Sequence, residues 1–171
     1  MKTLLRVNND LPWLSKPSQG RLYLTDELPA QELWGTAFGF VFNEDKILLI
    51  RLKKRGWDLP GGRIDPGETP AQAALREVRE EACARVQIEE LIGIQEVELF
   101  GPKPEGHRWP YPVTTQIFFL CRLETLEPFH KSSESSERRF FSPPDALLVP
   151  TMVNHLEIYE QALRRVRPGK S

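Results

Sequence analysis

The sequence predicts an α/β domain built on a mixed β-sheet between helices. Three observations predict it. Strand-like runs lie on both sides of one well-specified helix, a second helix closes the chain, and apolar residues make up 40% of the 171, enough for a packed core. The length suits one domain over 1–171, with 1–33 as an N-terminal extension and 34–166 as the core.

The elements follow in order. Residues 1–33 read as an irregular or hairpin-like part punctuated by Pro12, Pro17 and Pro29. Trp34 to Phe42 reads as a strand, 43–46 as a turn and Ile47 to Leu52 as a second strand, so the pair forms a hairpin. Gly56 to Gly67 is a glycine- and proline-rich loop, followed by a helix over Thr69 to Ala84. Thr69 caps that helix, Pro70 suits its first turn, and Gln72 completes a capping box. Val86 to Phe100 reads as extended with a bulge at Gly93, Gly101 to Pro112 as a long loop, and Val113 to Leu123 as a β-branched and aromatic strand. His130 to Glu137 is a polar loop, Arg138 to Phe141 a short strand, and Val153 to Val166 a closing helix.

Bulk properties exclude several classes. The net charge of −1 gives no field that would gather a nucleic acid polymer or anionic lipid. Cys83 and Cys121 suggest no disulfide framework, so a reducing, cytoplasmic setting is expected. Met1 to Asp10 lacks the apolar stretch of a signal peptide, and no apolar run is long enough to span a bilayer.

Chemistry concentrates in Gly61 to Ala84, GGRIDPGETPAQAALREVREEACA. At about 100° per residue, Glu77, Glu80 and Glu81 fall on one narrow helix face. Leu75, Val78, Ala71 and Ala82 fall on an adjacent face, the expected core stripe, while Ala73 and Ala74 are expected to leave room beside the carboxylates. Two readings stand: a solvated charged face with Arg–Glu pairs, or a cluster of hard oxygen ligands whose mutual repulsion a divalent cation turns into binding.

The spacing G-x5-E-x7-R-E-U-x-E-E, with U apolar, is present at Gly62, Glu68, Arg76, Glu77, Val78, Glu80 and Glu81. This is the Nudix box, and the chain resembles the Nudix hydrolase family. Trp57 to Gly62 is similar to the family's lead-in to the box, and Phe140 to Pro143 followed by Asp145 to Leu147 extends a weaker resemblance over 34–166. One position departs: the box's final glycine is Cys83 here. A glycine there lets the chain leave the helix at positive φ, so a shifted helix end or local strain is expected.

The resemblance implies a Nudix-type α/β/α sandwich and Mg²⁺-dependent hydrolysis of a P–O–P linkage, with Mn²⁺ as a substitute. The substrate implied is a small nucleoside diphosphate joined to another moiety. It implies that Glu77, Glu80 and Glu81 bind metal, that the Gly61 carbonyl adds a ligand, that Arg76 steadies Glu80, and that Glu68 with Gly62 organises the loop. The general base is expected among the box glutamates or on the late loop, where Glu137 suits better than Glu134 by its spacing to Phe140; a plain polar loop is the competing reading of 132–137. Trp109, Tyr111 and Arg108 are candidate substrate contacts, with loop packing as the other reading. Trp57 either packs under the loop or lines the pocket. A non-catalytic Nudix-fold nucleotide-binding module is the rival function, and the full set of box carboxylates argues against it. A homodimer is left open.

Overall fold

The computed structural model describes residues 1–167 and Gly169. The chain runs through β1 (Thr3–Asn9), β2 (Ser18–Leu24), a 3-10 turn (Gln31–Leu33), β3 (Trp34–Asn43), β4 (Lys46–Leu52), β5 (Gly56–Asp58) and β6 (Gly61–Arg63). It continues through α1 (Pro70–Ala82), β7 (Ala84–Leu99), β8 (Val113–Leu126), β9 (Ser135–Phe141), α2 (Pro143–Ala146), α3 (Pro150–Asn154) and α4 (Leu156–Val166).

The strands form one mixed sheet in the order β1-β2-β7-β8-β3-β4-β5, with β6 on β3 and β9 on β4. The pair β3–β8 is parallel and the others are antiparallel. Helix α1 covers one face through Ala73, Ala74, Val78 and Ala82 against Ala37, Val41, Leu48 and Ile117. On the opposite face Met152, Ile158, Tyr159 and Ala162 of α3 and α4 pack on Phe40, Phe42, Ile92 and Phe118. This is the α/β/α sandwich. Among the described residues no helix is long and apolar enough to cross a membrane.

Several expectations change in detail. The β3–β4 hairpin pairs only at Phe42↔Ile47 and Asn43↔Lys46. Beyond that point the two strands part, and the expected loop 56–67 fills the gap with β6 on β3 and β5 on β4. The N-terminal part is a true hairpin whose second strand pairs β7 from Ser18↔Leu99 to Leu24↔Gly93. The expected bulge appears as register shifts in β7, one of them between Leu91 and Gly93. β9 begins at Ser135, three residues before the expected start, because it pairs β4 down to Leu52. The closing helix is split at His155 into α3 and α4.

Helix α1 starts as read: Thr69 and Gln72 form a reciprocal capping box. Its buried face differs. Leu75 is 40% exposed, whereas Ala73 and Ala74 are fully buried. The helix lies so near the sheet that a Cβ on Gly39 would stand 3.0 Å from Val78 Cγ2. Only small side chains fit that gap, so the alanines take the core positions and Leu75 is turned to the helix flank.

Candidate active site

The site is assembled by two adjoining segments, β6 with its following loop and the middle of α1. Arg76 is their hub. It donates to Glu68 from Nε at 2.8 Å and from Nη2 at 2.9 Å, to Glu77 at 2.9 Å, to Glu80 at 3.3 Å, and to the Arg63 carbonyl at 3.1 Å. Glu68 also accepts from the Asp65 N–H at 2.9 Å, so one carboxylate ties the loop to the helix. The Arg76 bonds hold Glu68 below the usual carboxylate range, and those to Glu68 and Glu77 raise Arg76 further above its own.

Glu81 has a different environment. It is 4% exposed although charged residues are seldom so buried. Burial, then the neighbouring Glu77 carboxylate, pushes its pKa up to about 9; the Gly61 N–H, donating to Oε1 at 3.2 Å, opposes this. Of the two neighbouring carboxylates, Glu77 is held by Arg76, whereas Glu81 has no cation paired with it among the described residues. Glu80 lies apart, its side chain 60% exposed and drawn to Arg76. Among the described residues no group of three acidic, histidine or cysteine side chains converges as a ready metal cluster.

Gly61 and Gly62 let the strand pass close to this pair. A Cβ on Gly61 would strike the Phe38 ring at 2.3 Å, and one on Gly62 would strike Glu77 Oε1 at 2.6 Å. Cys83 occupies the left-handed region at φ 52, ψ 43 and ends α1 without shifting it. The thiol is buried, 3.8 Å from His130 Nδ1.

Two residues not singled out in the sequence secure the helix end. Arg138 donates to the Ala82 and Cys83 carbonyls at 2.9 and 3.0 Å, and the buried Ser135 hydroxyl donates to the Glu81 carbonyl at 2.8 Å. An arginine and a serine in a polar stretch carry no local sign of such a contact, because the partner carbonyls are over fifty residues away.

The late acidic residues part company. Strand alternation puts Arg138 on the α1 face and Glu137 on the other. There Glu137 pairs with Arg139 at 3.2 Å and Arg51 at 3.7 Å. Glu134, just before β9, acts on Glu81 instead, and its negative charge contributes to the raised Glu81 pKa. Trp57 packs edge-on against Phe141 at 5.0 Å, with Arg139 over its ring. Trp109 and Tyr111 remain 39% and 37% exposed on the 101–112 loop, each ring edge-to-face with His107; Arg108 is exposed. No ring or hydrogen-bond contact ties these three to the glutamates among the described residues.

A family model described as NUDIX domain matches residues 33–162. Diphosphoinositol polyphosphate phosphohydrolase 2 of Rattus norvegicus is 31% identical over 131 residues, which are 75% of this chain and 66% of that protein. The chain thus spans just under two thirds of that relative's length. Diphosphoinositol polyphosphate phosphohydrolase 3-alpha of Homo sapiens is 32% identical over 131 residues, 75% of this chain and 73% of that protein. Among solved structures, the Bacillus subtilis pyrophosphohydrolase BsRppH superposes with TM-score 0.69 at 23% identity, covering 94% of this chain and 97% of that one. An ADP-ribose pyrophosphatase from Streptococcus suis superposes with TM-score 0.56 at 28% identity, covering 78% and 92%.

Proposed function

The chain belongs to the Nudix hydrolase family, and on that premise we propose that it is a divalent-metal-dependent pyrophosphohydrolase acting on a nucleoside diphosphate joined to another moiety. The observation that carries this reading is the buried Glu81 carboxyl beside Glu77, where burial and the neighbouring carboxylate raise the Glu81 pKa and no cation pairs with Glu81 among the described residues.

The donor set fits Mg²⁺ or Mn²⁺, hard cations that take carboxylate oxygens. Glu77 and Glu81 would hold the ion, with Glu80, exposed and free to turn from Arg76, and the Gly61 carbonyl completing the protein's share. Bound there, the ion neutralises phosphate charge and lowers the pKa of the attacking water. The chain's own residues do the positioning. Arg76 fixes Glu77 and the loop, the Gly61 N–H orients Glu81, and Arg138 and Ser135 anchor the backbone that carries it. Glu134, which lies within electrostatic reach of Glu81, is a better placed general base than Glu137. Two buried free thiols agree with a reducing, cytoplasmic compartment.

A second reading takes a diphosphoinositol polyphosphate as the substrate, as in the relatives' names. Lys53, Lys54 and Arg55, exposed at the β4–β5 turn beside Arg51, supply the cationic surface such a polyanion needs. A hydrolysis screen at fixed Mg²⁺ decides between them. It should contain nucleotide sugars, ADP-ribose, dinucleoside polyphosphates, nucleoside triphosphates and a diphosphoinositol polyphosphate, with product identification. Release of a nucleotide product, abolished by chelator, is the expected result; turnover of the inositol compound alone selects the second reading, and no turnover of any compound rejects both.

A further inference from the structure

The turn before β9 is fastened to the end of α1 by two hydroxyls. The buried Ser135 hydroxyl donates to the Glu81 carbonyl at 2.8 Å. That carbonyl is among the last of α1, which have no partner within their own helix. The Ser132 and Ser135 hydroxyl oxygens lie 2.9 Å apart. A hydroxyl has a single hydrogen, and that of Ser135 is committed to Glu81, so Ser132 is the donor between the two serines. The result is a directed chain from Ser132 through Ser135 to the backbone of Glu81.

The same Ser132 oxygen also organises the turn. It accepts from the Glu134 N–H at 3.2 Å and from the Ser135 N–H at 2.8 Å, which fills both of its lone pairs. The Ser132 N–H donates to the Ser135 carbonyl at 3.0 Å. Lys53, next after β4, grips the turn from the other side. Its N–H donates to the Glu134 carbonyl and its ammonium to the Ser132 carbonyl, both at 3.1 Å. Within this frame Glu134 is exposed, and its carboxylate has no hydrogen bond or ion pair among the described residues. Glu137, by contrast, is engaged by Arg51 and Arg139. The backbone of Glu134 is therefore fixed while its carboxylate keeps its lone pairs open.

We infer that Ser132 is a positioning residue for Glu134: its hydroxyl locks the turn that bears this carboxylate and, through Ser135, ties the turn to the backbone of Glu81, so that the two carboxylates are held as one unit. The inference rests on the hydrolase reading with Glu134 as general base, and it names what sets the reach of that base. A general base must stand within hydrogen-bond distance of the proton it takes, directly or through one water, and a site on a loop needs supporting hydrogen bonds to hold such a distance. Pairing with β4 fixes β9 from Ser135 onward. Glu134 lies one residue before that pairing, where Ser132 takes over.

The test is a double-mutant cycle on the full chain in Mg²⁺, using the compound turned over fastest among ADP-ribose, nucleotide sugars, dinucleoside polyphosphates and nucleoside triphosphates. Ser132→Ala should lower kcat by about tenfold or more, as for a displaced catalytic group, with KM little changed. Ser132→Thr keeps the hydroxyl and should restore most of kcat. In the Glu134→Gln background, Ser132→Ala should cost less than about twofold more, because its effect passes through a group already removed. In the metal-free chain, Ser132→Ala should speed hydrogen exchange of the Ser135 amide several-fold by NMR, while the β4–β9 pairs beyond it keep their protection. A thermal melt confirms that each variant is folded. Undiminished kcat in Ser132→Ala, or the same fractional loss with and without Glu134, overturns the inference and leaves hydrolysis standing. A chain that cleaves none of these compounds before any substitution overturns the hydrolase reading instead, and the positioning role with it.

Discussion

Gly62 and Glu77 are set so close that a methyl group on the Gly62 Cα would stand 2.6 Å from Glu77 Oε1 and 2.8 Å from its carboxyl carbon. Gly62 is not among the glycines at positive φ. Glycine is needed here for room, so that the strand can pass directly beneath a carboxylate that Arg76 holds at 2.9 Å. Gly62→Ala should therefore leave the fold intact and push Glu77 aside. A misplacement near 1 Å can cost about 100-fold in rate, so kcat should drop at least tenfold with the unfolding temperature little changed. Steady-state kinetics and a thermal melt on the same sample check this; unaltered kcat would mean that the position of Glu77 does not matter.

Glu81 should give opposite signs for stability and activity. Its folded pKa is raised to about 9, so the folded state keeps a proton that the unfolded chain releases near 4.5. Without metal, stability should fall as pH rises from about 4.5 toward 9. Glu81→Gln mimics the protonated acid, so it should flatten that dependence and stabilise the metal-free protein at neutral pH by on the order of 1–3 kcal/mol. It should also weaken Mg²⁺ binding and lower the rate by on the order of 100-fold or more. Denaturant unfolding across pH, beside kinetics in Mg²⁺, measures both effects. Destabilisation of the metal-free fold with hydrolysis untouched would return the cluster to a structural salt-bridge role.

Glu134 and Glu137 can be separated by paired substitutions. Glu134→Gln should reduce kcat strongly, by about 100-fold for loss of a general base, with KM little changed in steady-state kinetics. Glu137→Gln frees Arg51 and Arg139 on the other face and should change kcat by less than about twofold, since exposed ion pairs contribute little. The reverse order of effects would assign the role to Glu137.

Cys83 tests the cost of a left-handed residue that is not glycine. Cys83→Ala and Cys83→Gly both remove the buried thiol, but only glycine removes the Cβ strain at φ 52. The glycine variant should be the more stable of the two by about 1 kcal/mol, measured by urea unfolding. Equal stabilities would mean that the local backbone bears no strain.

The sequence by itself determined the helix and the placement of its carboxylates. The capping box at Thr69 and Gln72, the i, i+3, i+4 placement of Glu77, Glu80 and Glu81, and the box spacing are local relations within some twenty residues, and short-range geometry settles them. It also marked Cys83 as the irregular helix end and Gly93 as a bulge, since both depend on backbone freedom at one position. Only the tertiary structure decided the rest. Leu75 lost its core place to Ala73 and Ala74 because the distance from helix to sheet, which periodicity does not encode, admits only small side chains. Glu137 and Glu134 were separated by the start of β9 at Ser135, since a register fixed by β4 decides which face each residue meets. The unequal fates of the three glutamates, with Glu81 buried and Glu80 exposed, follow from how deeply α1 sits on the sheet. Burial is a property of the packed whole, and it alone sets Glu81, with its raised pKa, apart from the exposed Glu80.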